Sequence, residues 1–144
     1  MKDKIGYVLR DGYDEMDFAR IADMLKDAYW CVGIKQAEVL SSARNSSLLV
    51  GAFAQDNEQV GYARVISDKS RFAYILDVIV DERCRRRGIG QAMIKCILNH
   101  PDLKNVYQWL LVTKDAHGVY QKFGFTPVSR PKDWMEIRHI RPDR

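Results

Sequence analysis

The run Tyr74-Ile75-Leu76-Asp77-Val78-Ile79-Val80 is apolar on both faces apart from Asp77, and a few residues later the chain reads Arg85-Arg86-Arg87-Gly88-Ile89-Gly90. A strand that is apolar on both faces belongs in the middle of a sheet rather than at its edge. Ile89, Met93, Cys96 and Ile97 then recur at helical spacing, so the pattern predicts a buried strand, a basic turn and a helix that ends by Pro101. A turn at the carboxyl end of a central strand is where open α/β sheets bind ligands. The first N–H groups of the following helix have no intrahelical partners and carry the positive end of its dipole, which makes an anion site. Glycine at positions 88 and 90 lets a phosphate come close to the backbone, and the three arginines supply charge-assisted donors at the rim.

Two familiar nucleotide loops are excluded. A Walker loop needs Gly-Lys-Ser/Thr, and no lysine follows Gly90; the dinucleotide fingerprint needs a third small residue where Met93 stands. The plainer alternative is a tight strand-to-helix turn whose arginines are merely solvated.

The rest of the chain reads as mixed α/β. A short strand is expected over Ile5 to Leu9. An amphipathic helix over Asp14 to Tyr29 follows, with Phe18, Ile21, Leu25 and Tyr29 on one face and Asp14 as N-cap. A second helix is expected from Lys35 to Ala43. Ser47 to Ala54 and Gln59 to Ser67 form a hairpin across Asp56-Asn57-Glu58, and the long strand from Phe72 to Val80 comes next. Further strands are expected over Tyr107 to Thr113 and Trp134 to Ile140, on either side of a short helix from Ala116 to Phe123 capped by Gly124.

With 144 residues the chain suits one domain, 1–144, rather than two independent cores. The net charge of +4 is modest and concentrated between Arg83 and Arg87, which favours one anionic ligand over a long polyanion track. No stripe of basic and stacking aromatic residues points to nucleic acid. Neither a signal-peptide core nor a membrane span follows Met1-Lys2-Asp3-Lys4-Ile5, so a cytoplasmic location and no membrane partner are expected. Cys31, Cys84 and Cys96 fit neither a disulfide framework nor a zinc spacing, and they read as reduced thiols with no metal. Cys96 falls on the apolar helix face, Cys84 is a bystander in the basic turn, and His100 and His139 are expected at the surface.

Val80 followed by Arg85-x-x-Gly88-x-Gly90 resembles the acyl-CoA pyrophosphate motif of the GNAT superfamily of N-acyltransferases. The later stretch Leu111-Val112-Thr113-Lys114-Asp115-Ala116-His117-Gly118-Val119-Tyr120-Gln121-Lys122-Phe123-Gly124-Phe125 is similar to that family's second motif, with alanine four residues before a tyrosine and a closing Gly-Phe. The resemblance covers about Gln59 to the end, and Tyr29-Trp30 and Gly61-Tyr62-Ala63-Arg64 resemble a subgroup of small bacterial members. It implies a GNAT-like α/β fold, with a central mixed, mostly antiparallel sheet flanked by helices.

It also implies acetyl-CoA as acyl donor, held by Ile79 and Val80, by Arg85, Arg86, Arg87, Gly88, Ile89, Gly90 and Gln91, and by Thr113 and His117. Thr113 stands where the family commonly has asparagine. In the family the central strand splays from its neighbour, leaving peptide groups free for the pantetheine arm and the thioester oxygen, where one donor is typically worth ~10²–10³ in rate. Tyr120 matches the tyrosine that protonates the leaving thiolate, against the alternative of a tyrosine packed at helical spacing. Asp77 either has a structural partner or faces the cavity where an amine arrives, because a buried carboxylate is costly alone. Tyr29, Trp30 and Arg64 are expected to line the acceptor pocket, and Tyr74, Trp109 and Trp134 to be core.

The function that follows is acetyl transfer from acetyl-CoA to a primary amine, on a small molecule or a protein, by direct attack in a ternary complex. A homodimer is compatible with this. The alternatives are a catalytically weak acyl-CoA-binding regulatory module and a basic nucleic-acid binder; salt-sensitive binding to DNA or RNA, indifferent to CoA, would mark the last.

Overall fold

The computed structural model describes residues 6–141 and divides into two compact units between Val112 and Thr113. In the larger unit β1 (Tyr7–Asp11), β2 (Leu48–Ala54), β3 (Gln59–Ser67), β4 (Phe72–Val80) and β5 (Gln108–Leu110) form one sheet in the order β1-β2-β3-β4-β5. The first four strands run antiparallel: short hairpins join β2 to β3 and β3 to β4, β1 pairs with β2 across the two helices between them, and β5 is parallel to β4 after the crossover helix α3 (Ile89–Leu98). This is the mixed, mostly antiparallel sheet expected. The ends of β3 and β4 coincide with the sequence expectation.

Each face of the sheet is covered by helix. On one side α1 (Phe18–Leu25) and α2 (Gln36–Arg44) pack Ile21, Leu25, Val39 and Ala43 against Leu49, Phe53, Tyr62 and Ile79. On the other side α3 buries Ile89, Met93, Ile94 and Ile97. Gly61 lets α3 approach, since a Cβ there would lie 3.2 Å from Met93 Cε. Two buried polar side chains tie elements together. Gln59 accepts from the Asp17 N–H at 2.8 Å and donates to the Gly61 carbonyl at 3.0 Å, which joins the start of α1 to β3. Asp81, 8 % exposed, takes Arg20 of α1 and, at 3.0 Å, Arg83 Nε.

Several expectations need correcting. The helix N-cap is Asp17, whose carboxylate accepts from Arg20 N at 3.1 Å, while Asp14 lies in a 3-10 turn. The helix ends at Leu25, and 26–34 is a chain of turns that still buries Ala28, Cys31 and Ile34. The first strand runs from Tyr7 to Asp11, and Ile5 lies outside the described residues. The strand expected over Tyr107 to Thr113 is only Gln108–Leu110. Cys96 is only half-buried, and burial, with Asp11 beside it, pushes its thiol up, whereas Cys84, expected as a bystander, is buried. His100 is largely covered: its Nε2 bonds Asp11 Oδ2 at 2.6 Å and its Nδ1 accepts from Asp102 N at 3.2 Å, which joins α3's end to β1.

The smaller unit holds α4 (His117–Gln121) and a 3-10 turn over Pro131–Asp133. Residues Trp134 to Ile140 form no strand, because no ladder partner takes up their backbone groups among the described residues, and Met135, Ile137 and Ile140 are exposed. Trp134 is half exposed rather than core.

Candidate active site

The site begins where the sheet opens. β5 pairs with β4 only at Phe72, Ala73 and Tyr74; from Ile75 to Val80 that side of β4 has no ladder partner among the described residues. The peptide groups of this stretch that point away from β3 are therefore open to an extended ligand, apart from the Val80 carbonyl that Arg85 Nε takes at 3.1 Å, since backbone donors and acceptors left open seek partners. The opposite side of β4 is irregular too. Tyr62 pairs with Ile79 and Arg64 with Leu76, so Ala63 of β3 faces both Asp77 and Val78. This is a β-bulge, and Asp77 within it sits at φ +54°. A non-glycine residue in that region is held there by its surroundings, at about 1–3 kcal/mol.

Those surroundings are specific. Arg64 Nε donates to Asp77 Oδ2 at 2.6 Å, and Trp30 Nε1 donates to Asp77 Oδ1 at 2.9 Å. The side chains of Arg64 and Asp77 are only 12 % and 10 % exposed. Arg64 also donates from Nη1 to Ser46 Oγ at 3.3 Å, which anchors it to the end of α2. Of the two possibilities for Asp77, the structural partner exists, and Arg64 is that partner rather than a free pocket cation. Tyr29, 49 % exposed, meets Trp30 edge-on with ring centroids 5.0 Å apart. Three predicted acceptor-side residues and Asp77 are thus brought together around the bulge.

At the carboxyl end of β4 the basic turn carries the chain into α3. Arg85 Nε donates to the Val80 carbonyl at 3.1 Å, and Arg85, Arg86 and Arg87 are exposed. Gly88 is the helix N-cap at φ +80°, a conformation that favours glycine, and a Cβ there would meet no protein atom within 4 Å. Gly90 is less constrained, with its hypothetical Cβ 3.7 Å from Val80 Cγ2. No side chain caps α3, so its first-turn N–H groups at Ile89, Gly90 and Gln91 remain open for an anion. The residues present therefore suit a pyrophosphate: an open helix start, an uncrowded glycine and three cations. Beside them lies a cleft of about 500 Å³ whose lining includes Ile79, Val80, Asp81, Arg83 and Arg85.

A model of the acetyltransferase (GNAT) domain matches residues 45–127. The chain belongs to the GNAT acetyltransferase family. A GNAT-family protein of Xanthomonas campestris pv. campestris is 36% identical, with a TM-score of 0.86 and 94% of each chain covered. A Clostridium acetobutylicum protein, a predicted acetyltransferase solved with acetyl-CoA, shares the fold at a TM-score of 0.70 and 19% identity, covering 92% of this chain and 96% of its own. GCN5-related N-acetyltransferase 2, chloroplastic, of Arabidopsis thaliana is 27% identical over 118 residues, which span 79% of this chain and 45% of that relative. The chain thus spans less than half the length of the curated relative it matches.

In the smaller unit, Tyr120 stands on α4 with its ring edge-on to Phe125 at 5.9 Å. Thr113 Oγ1 accepts from Ala116 N at 3.0 Å, so this hydroxyl shapes the turn into α4, and His117 is exposed. Among the described residues no His, Cys, Asp or Glu group is arranged to hold a metal ion, and no helix is long and apolar enough to cross a membrane.

No local sequence pattern gives Asp81 or Tyr62 a role. Asp81 was readable only as the residue after the strand, and nothing local marks Arg20 as its partner. Tyr62 lies two residues before Arg64 on β3 and so shares its face, a period-2 signal that the sequence carries.

Proposed function

We propose that this protein transfers an acetyl group from acetyl-CoA to a primary amine, on a small molecule or a protein, by direct attack in a ternary complex. The observation that carries this is the open side of β4 from Ile75 to Val80, running into the uncapped start of α3. An extended pantetheine arm suits such an edge, and a pyrophosphate suits the helix start beyond it. Peptide N–H groups near Val80 supply the donors that a developing oxyanion needs.

The neutral amine nitrogen attacks the thioester carbonyl carbon, the C–N bond forms, and the C–S bond breaks as the tetrahedral intermediate collapses. Tyr120 donates its proton to the departing thiolate; this role rests on its match to the family tyrosine. Asp77, its charge already balanced by Arg64, orients the incoming amine, and the proton shed by nitrogen passes to water. Trp30 and Tyr29 form an aromatic rim that favours a cation. We take residues 1–144 as one catalytic domain, cytoplasmic, without nucleic-acid or membrane partners.

The test is a panel of amines incubated with acetyl-CoA while free thiol is followed. Amine-dependent thiol release with an acetylated product supports the reading. CoA binding without release from any amine would overturn it in favour of a binding module.

A further inference from the structure

The hydroxyl of Tyr62 is buried and has no hydrogen-bond partner among the described residues. The whole residue is 1 % exposed, and its neighbours in the cluster are apolar: Ile21, Leu25, Ala28, Cys31 and Ile34 among them. Burial pushes the phenol well above its ordinary range, with the Arg64 charge pulling it back and the Asp77 charge adding to the rise. The group is therefore a neutral phenol, with one O–H donor and lone pairs that accept. In an apolar pocket of this kind phenylalanine would fill the same space without an unmet hydroxyl, so the oxygen calls for an explanation.

Its place in the fold supplies one. Tyr62 is two residues from Arg64 on β3, hence on the same face, and its backbone pairs with Ile79 at the edge of the bulge that holds Asp77. The turns over 26–34 roof this face: they bury Ala28, Cys31 and Ile34 in Tyr62's cluster and bring Trp30 onto Asp77. Each Asp77 oxygen already takes one donor, from Arg64 or from Trp30, and keeps further accepting capacity.

We propose that Tyr62 is an acceptor-binding residue: when an amine enters beneath the 26–34 roof, the phenol oxygen accepts one N–H while Asp77 accepts the other. Both hydrogens of a neutral primary amine are then held, and its lone pair is left for the carbonyl carbon. The site selects primary amines over N-methylated ones, which have only one N–H to give in the attacking form. This rests on the amine-acetylating reading above.

The experiment compares wild type with Tyr62→Phe on phenethylamine, ethanolamine and putrescine, each beside its N-methyl counterpart. Thiol release gives kcat and KM, calorimetry on CoA-loaded protein gives the amine Kd, and melting reports stability. Expected for Tyr62→Phe are an unchanged or higher Tm, unchanged CoA affinity, about tenfold weaker use of the primary amine for one lost hydrogen bond, and a narrowed preference over the N-methyl form. Equal amine affinity and equal preference in the two proteins would overturn the assignment, as would failure of the wild type to bind any of these amines. Thiol release that is alike in both proteins leaves acetyl transfer standing and removes Tyr62 from it. Amine binding lost in Tyr62→Phe but with no thiol release from wild type does the reverse.

Discussion

Arg64 and Asp77 meet at 2.6 Å on adjacent strands, at the step where the ladder between those strands slips by one residue. The ion pair and the bulge depend on each other. The bulge turns the Asp77 carboxylate toward β3, and the guanidinium, with Trp30, holds Asp77 in a backbone conformation it would not otherwise keep.

Asp77→Asn should therefore be destabilising as well as kinetically harmful. Removing one member of a largely buried pair leaves the other uncompensated, at roughly 3–5 kcal/mol. Urea unfolding should find a loss in that range, partly recovered when Arg64→Met is added, because the stranded cation is then gone. A loss under about 1 kcal/mol, the size of an exposed pair, would show that water does the compensating.

Gly88→Val should weaken CoA binding in a protein that still folds. The substitution forces a branched residue to φ near +80°, costing about 1–2 kcal/mol, and places its methyl groups in the open space above the start of α3. Gly88→Ala shares the backbone strain with far less bulk, so the pair of variants separates strain from obstruction. Calorimetric titration should give a fall of at least about tenfold for valine, the equivalent of one charge-assisted hydrogen bond, and a smaller one for alanine. Affinity unchanged in Gly88→Val would remove the pyrophosphate from this turn.

Tyr120→Phe should lower kcat by at least ~10² with CoA affinity within about twofold, because the ring contact with Phe125 survives and only the acidic hydroxyl is lost. Parallel falls in kcat and kcat/KM would mark a group that acts in the transition state. A kcat close to wild type would return Tyr120 to a packing role.

Tyr62 gives a pH dependence with a definite sign. Its phenol is raised from the ordinary 10.0, so folded protein holds the proton more tightly than unfolded chain. Stability from this source is complete below about pH 10 and declines as pH climbs above it, because the unfolded chain ionises first. Melting curves in the alkaline range should fall more steeply for wild type than for Tyr62→Phe. Identical slopes would mean that the hydroxyl reaches water.

Strands β3 and β4 were legible to the residue because both are rich in apolar residues and bounded by turn residues, and the turn into α3 because glycine and arginine mark it locally. What the sequence hid was long-range. Trp30 lies 47 residues from Asp77, and no spacing rule connects them. The N-cap moved from Asp14 to Asp17 because Gln59, from another strand, fixes the Asp17 N–H. Trp134 to Ile140 has the apolar and β-branched content of a strand but no neighbour to pair with among the described residues, and propensity alone does not make one.

What the open side of β4 offers a ligand is peptide groups, and peptide groups do not mutate. Among single substitutions from Ile75 to Val80 only proline deletes a donor, so a ligand lying along this edge keeps its hydrogen bonds while the side chains around it change. The opposite holds at the bulge, where Asp77, Arg64 and Trp30 act through side chains that one codon can replace. The two halves of the proposed site are therefore unequally exposed to sequence drift: side-chain contacts at the bulge are free to wander while the backbone edge of β4 stays fixed.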